Sequence, residues 1–350
     1  MERLHCRMFS LNKFLLLCSG LVFSANISYA DATSQNQTMP RLSSSTISNI
    51  VGIKKTIERN IELERLHKLQ IKEDRNNINT IKIISLAPNI TENLFHLGLG
   101  NNIVGVDSLS DYPKKVQKIP KVATVSNIDY EEILRLKPDL IVVWNDFYPD
   151  LEKDLKKYNI TARVFRFIIH RIPDYSDAIL KLGRITHTEE RAVELRENFR
   201  SKMKELRNTY MNYPSHSVAY IIWDEPIYTV AENSWINDVI EICNGSNLFK
   251  NSDLSYPIID QEYLLTANPE IIINATVSHP MLHIPDVLQD RVVILSKVNG
   301  MHRISNRTAE SAEEICSIIH QKDQLIDEKS SEITMKETQG TENEEQKSAE

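Results

Sequence analysis

Four acidic residues recur in two pairs at a constant offset: Asp129 with Asp260, and Glu131 with Glu262. At that spacing they do not face each other as an acid and a base. Each pair opens a segment of about two helical turns, where a carboxylate accepts N–H groups that the first turn leaves unpaired. Other residue types that perform chemistry are present without the spacing it needs. His279 and His283 flank Pro280, which breaks the helical repeat that would aim both rings at one metal. The 10 histidines are scattered, so a metal site of converging His and carboxylate ligands is not expected. Gly98-Leu99-Gly100 follows a helical stretch instead of opening one, and reads as a helix stop, not as a dinucleotide loop. GxSxG, P-loop and HExxH motifs are absent, and no nucleophile–base pair can be placed. A secreted hydrolase is the enzyme reading left over, and the sequence gives it no site. The expectation is a protein that binds, with no cofactor of its own.

The two acidic pairs belong to longer repeats, DYEEILRLKPDLIVV at Asp129–Val143 and DQEYLLTANPEIIIN at Asp260–Asn274. Pro138 matches Pro269, and Asp139 matches Glu270. Each repeat reads as a short helix, a turn closed by proline, and a buried strand rich in β-branched residues. One recurrence a domain-length later predicts two similar α/β lobes. Around the first repeat we place strands at Ile81–Leu86, Ile103–Val106 and Arg163–Ile168, and helices at Thr91–Leu97 and from Pro149. Around the second lie strands Val218–Ile222 and Val292–Leu295, with helices Trp235–Cys243 and Ala309–His320. Between the lobes run Asp174–Ile185 and a segment from Thr188 to Met211, striped by Leu195, Phe199, Met203 and Leu206. Alternating strands and helices imply parallel sheets, and the second connecting helix would span roughly 35 Å.

Composition sets the limits. A formal charge of −7, with no basic run, argues against a nucleic-acid partner. Residues 1–30 have the layout of a secretory signal peptide: Arg3, Arg7 and Lys13, the apolar run Phe14–Phe23, then Ser28-Tyr29-Ala30. Lipidation at Cys18 fits poorly, because Leu17 precedes it where a small residue is needed. Residues 31–79 read as a polar extension or tether with Ile50, Ile53, Ile57 and Ile61 at helical spacing, and residues 323–350 as an acidic tail. The lobes then fall at 80–172 and 215–322, joined by 173–214. Cleavage after Ala30 leaves two of the 4 cysteines, Cys243 and Cys316. In an oxidising compartment such a pair forms a disulfide, or stays as two separately buried thiols.

Several runs carry a family resemblance over about Ile81–His320. SLAPNITENLFHLG, GVDSLSDYP and YEEILRLKPDLIVVW resemble the N-terminal lobe of class III periplasmic substrate-binding proteins of ABC importers. ICNGSNLF, YPIIDQEYLL and the last helix are similar to their C-terminal lobe. The cobalamin-binding branch is the nearest in pattern. The resemblance implies two Rossmann-like lobes with parallel sheets joined by a single long α-helix, a ligand in the cleft between them, and a Cys243–Cys316 disulfide. It places Trp144 in the cleft from one lobe and Tyr256 from the other, with Arg303 and Asn299 at a polar edge and Asn89 in the contacting set. Leu109 and Val125 stand where the cobalamin binders have a tyrosine and a tryptophan, so a wider or flatter cleft is expected. Glu131 and Glu262 match glutamates at the lobe tops that meet arginines of the permease. The implied protein is a periplasmic monomer that carries a corrinoid to an inner-membrane permease and its ATPase. Haem or an iron-siderophore is the alternative cargo.

Overall fold

The computed structural model describes residues 52–53, 55–66, 69, 80–145, 147–276 and 284–321. The expected signal peptide, the acidic residues 323–350 and the His279/His283 pair lie outside these residues. Residues 52–53 and 55–66 are helical and belong to a unit of their own, with Ile53, Ile57 and Ile61 exposed.

The first lobe is a five-stranded parallel sheet in the order β3-β2-β1-β4-β5. Its strands are β1 (Ile83–Ser85), β2 (Ile103–Asp107), β3 (Lys121–Ala123), β4 (Leu140–Trp144) and β5 (Arg163–Phe167). Successive residues feed opposite faces, as a sheet covered on both sides requires. Ile83 and Val142 enter one apolar cluster, while Ile84, Ile141 and Val143 enter another. The covering helices are α1 (Pro88–His96), α2 (Tyr130–Leu136) and α3 (Leu151–Lys157). Helix α1 starts three residues earlier than the sequence suggests, because Pro88 occupies its first turn, where the missing N–H costs nothing. It stops at Gly98, whose φ of 83° lets Leu99 N–H reach back to the Leu94 carbonyl.

Two helices in series, α4 (Ile172–Ile185) and α5 (Glu189–Tyr210), connect the lobes. At 22 residues α5 is roughly 33 Å long. Its predicted stripe of Leu195, Phe199, Met203 and Leu206 is buried. The second lobe is a four-stranded parallel sheet, β12-β11-β6-β9, from β6 (His216–Ile221), β9 (Gly245–Asn247), β11 (Ile271–Asn274) and β12 (Val292–Ile294). A small antiparallel sheet of β7 (Trp223–Asp224), β8 (Ile227–Tyr228) and β10 (Ile258–Ile259) lies beside it, and the sequence reading missed it. Helices α6 (Trp235–Ile242), α7 (Gln261–Ala267), α8 (Val298–His302) and α9 (Thr308–Ile319) complete the lobe. Gly300 lets α8 lie close to α9, since a Cβ there would fall 2.4 Å from Ser311 Oγ.

The duplicated units adopt the same structure down to their caps. Asp129 accepts from Glu132 N–H at 2.9 Å, and Asp260 from Tyr263 N–H at 2.7 Å. Both helices end on a left-handed residue before the proline, Lys137 and Asn268, each at φ 50°. Asp139 then takes the N–H of Lys82 at 2.8 Å, and Glu270 that of Ser217 at 2.6 Å. Each acid thereby ties its unit to the start of the neighbouring parallel strand, β1 or β6. Cys243, at the end of α6, is joined to Cys316 in α9, so the pair is a disulfide and not two thiols.

Candidate functional site

In open α/β sheets, ligands gather beyond the carboxyl ends of the strands. That is where a cavity of about 400 Å³ opens between the lobes. The first lobe contributes the loops after β1 (Leu86–Asn89), β2 (Asp107, Leu109), β3 (Thr124, Val125) and β4 (Trp144, Phe147, Tyr148). The second contributes Trp235 from the start of α6, and Asn299, His302 and Arg303 from α8 and its end.

Trp144, Phe147, Tyr148 and Trp235 are the aromatic groups of the lining. Trp144 and Trp235 meet across the lobes edge to face, with ring centroids 5.9 Å apart. Trp235 is fixed by its indole N–H, which donates to the Met301 carbonyl at 2.8 Å. Beyond Trp144 the chain turns sharply, with positive φ at Asn145 and Tyr148. The Arg166 guanidinium holds this turn, donating to the carbonyls of Asn145, Phe147 and Tyr148 at 3.1–3.3 Å, with Glu152 as its counter-ion at 2.7 Å. The Tyr148 hydroxyl donates to the Thr124 carbonyl, linking the loops after β3 and β4.

The polar groups of the lining include Asn89, Asp107, Asn299, His302 and Arg303. Arg303 pairs with Asp111 and lies 3.6 Å from Glu92. Glu92, whose side chain is fully buried, also meets Arg307 at 3.1 Å and accepts from the Ser305 hydroxyl at 3.2 Å. Burial pushes the Glu92 carboxyl up in spite of both arginines. Burial, aided by Arg303, pushes the His302 imidazole down to about 4, so the ring is neutral near pH 7. Asp107 accepts from the Ser110 hydroxyl and from Leu109 N–H, which shapes the loop carrying Leu109 and Asp111. A second tie across the lobes joins Arg171 to Asp238, whose other oxygen takes the Ile172 N–H at 2.7 Å.

The cavity brings together Asn89, Leu109, Val125, Trp144, Asn299 and Arg303 from the sequence-derived set. Tyr256 lies outside its lining; the ring is 38% exposed, and its hydroxyl reaches the Ser234 side chain beside Trp235. The aromatic that faces Trp144 from the second lobe is therefore Trp235. The sequence reading also passed over Phe147, Tyr148 and His302. Three aromatics within five residues past the end of a strand were the available signal for the first two. Glu131 and Glu262 occupy equivalent exposed positions in the first turns of α2 and α7. Among the described residues, neither side chain has a recorded hydrogen bond or ion pair.

Two lobes around a mostly apolar cavity with a few polar groups in its lining define a protein that encloses a small molecule. The periplasmic binding protein family matches residues 83–290, and the chain belongs to that family. A vitamin B12-binding protein of Vibrio cholerae serotype O1 is 29% identical over 247 residues, which cover 68% of this chain and 88% of that protein. The crystal structure of the periplasmic vitamin B12 binding protein BtuF of Vibrio cholerae aligns with a TM-score of 0.59 at 29% identity, over 68% of this chain and 96% of that one. A periplasmic heme binding protein of Pseudomonas aeruginosa, at 18% identity and a TM-score of 0.60 over 69% and 92%, shares the fold.

Proposed function

We propose that this protein captures a corrinoid in the periplasm and presents it to the permease and ATPase of an ABC importer, acting as a monomer exported by its N-terminal signal peptide. The observation that carries this reading is the cavity between the lobes, lined by four aromatic groups together with two amides and an arginine. A corrinoid is a broad ring with apolar faces and an edge of carboxamides, so it asks for those two kinds of surface. A cavity of about 400 Å³ receives one edge of such a ring. The remainder lies along the rims, where Leu109, Val125 and Tyr256 are exposed. The likeness to vitamin B12-binding relatives supports the same cargo.

Trp144→Ala should weaken cyanocobalamin binding by about 10- to 100-fold, from the loss of ring contact and apolar burial. Calorimetry and the visible spectrum of the bound ring give the affinity. One feature favours haem as a second reading: the neutral His302 imidazole in the lining is a ligand type that iron accepts. If cyanocobalamin gives neither heat nor spectral change while haemin binds in a Trp144-dependent way, the family stands and the corrinoid does not.

Glu131 and Glu262 serve as docking contacts in this reading. Reversing both to lysine should impair uptake through repulsion at the permease, while ligand affinity stays within about twofold. Normal uptake by the double variant would leave them as helix-terminal residues only.

A further inference from the structure

Around Arg303, which lines the cavity, charges of both signs are paired within the protein. Arg303 is engaged by Asp111 and lies near Glu92, and Arg307 is engaged by Glu92 while its guanidinium covers the Tyr112 ring at 4.2 Å. Two arginines thus face two carboxylates. His302 adds no positive charge at neutral pH. Asp107 also lines the cavity, and burial pushes its carboxyl up, so it supplies no cation either. Against this background stand two neutral amides, Asn89 and Asn299. Asn89 is only 6% exposed, and its Nδ2 has no hydrogen-bond partner among the described residues. An unmade donor in such a place favours a ligand that brings a neutral acceptor.

We infer that the cleft selects a ring edged with carboxamides over one edged with carboxylates, because Asp111 quenches the charge of Arg303 and Asn89 offers an unfilled amide. A carboxylate would lose its hydration on entry and, among the described lining residues, meet only the already paired Arg303. This deepens the corrinoid reading and rests on it for the identity of the ring.

The test compares paired ligands that differ only in edge charge. Cyanocobalamin is titrated against its monocarboxylate derivatives, in which one peripheral amide has been hydrolysed, and haemin against its dimethyl ester. The wild type should prefer the neutral member of a pair by at least about fivefold, and Asp111→Asn should shrink that preference by a similar factor, since it frees a cation. Asn89→Ala should weaken the neutral ligand by about 3- to 10-fold, the range for one hydrogen bond. Asp111→Ser repeats the test should the asparagine variant fail to fold. Equal affinity for both members of each pair, or a preference that Asp111→Asn leaves unchanged, overturns the inference. If no corrinoid binds, the corrinoid reading falls, and the haemin pair still decides the question of charge.

Discussion

Reducing the Cys243–Cys316 bridge is expected to lower the free energy of unfolding by about 4 kcal/mol, the loop-closure entropy of a long loop. The two cysteines are 73 residues apart and both fully buried, one at the end of α6 and the other within α9. The bridge therefore pins the last helix to the helix that carries Trp235. Urea denaturation with and without reductant, repeated on a Cys243→Ser/Cys316→Ser variant, measures the effect. A loss below about 1 kcal/mol in both experiments would mean that packing of α9 alone holds the lobe closed.

Glu92→Leu is expected to cost about 3–5 kcal/mol, because it leaves two arginines facing an apolar group where a carboxylate had been. Glu92→Gln should cost less, since its one amide oxygen still accepts from either Ser305 or Arg307, which meet different oxygens of the carboxylate. The two variants also differ from the wild type in pH dependence. Burial raises the Glu92 pKa above its ordinary 4.5, so the folded chain holds that proton more tightly than the unfolded chain. The corresponding stability is fully present below the ordinary value and is lost as pH rises through the folded one. Denaturation midpoints across that window should therefore fall more steeply in the wild type than in Glu92→Gln. Parallel curves would remove Glu92 from the account.

The duplicated unit was legible because every part of it is local. An acid caps a helix, a proline ends it, and a β-branched run follows; the structure keeps these features at both Asp129 and Asp260. The buried stripe of α5 was equally plain from its spacing. The strands of the small sheet were not, since two-residue strands carry no period to read. The site divides along the same line. Trp144, Asn299 and Arg303 were found through motifs, each contained within one lobe. Trp235 and His302 were missed because their place in the lining depends on how the lobes meet, which no local pattern encodes. Tyr256 lies outside the cavity lining, in the bend before β10, and the ring that meets Trp144 from the second lobe is Trp235.

One apolar cluster runs without a break from Ile83 and Phe167 through α4 and α5 to Ile240 and Ile315. The repeat in the sequence predicts two similar lobes, yet they share this core, so they are expected to unfold as a single cooperative unit. Ligand binding and global unfolding are then thermodynamically linked across the whole of residues 80–321. A ligand held against Trp144 withdraws population from the unfolded chain, the form in which the Cys243–Cys316 bridge is exposed. Occupancy of the cleft can accordingly be read from the resistance of a bridge that never touches it.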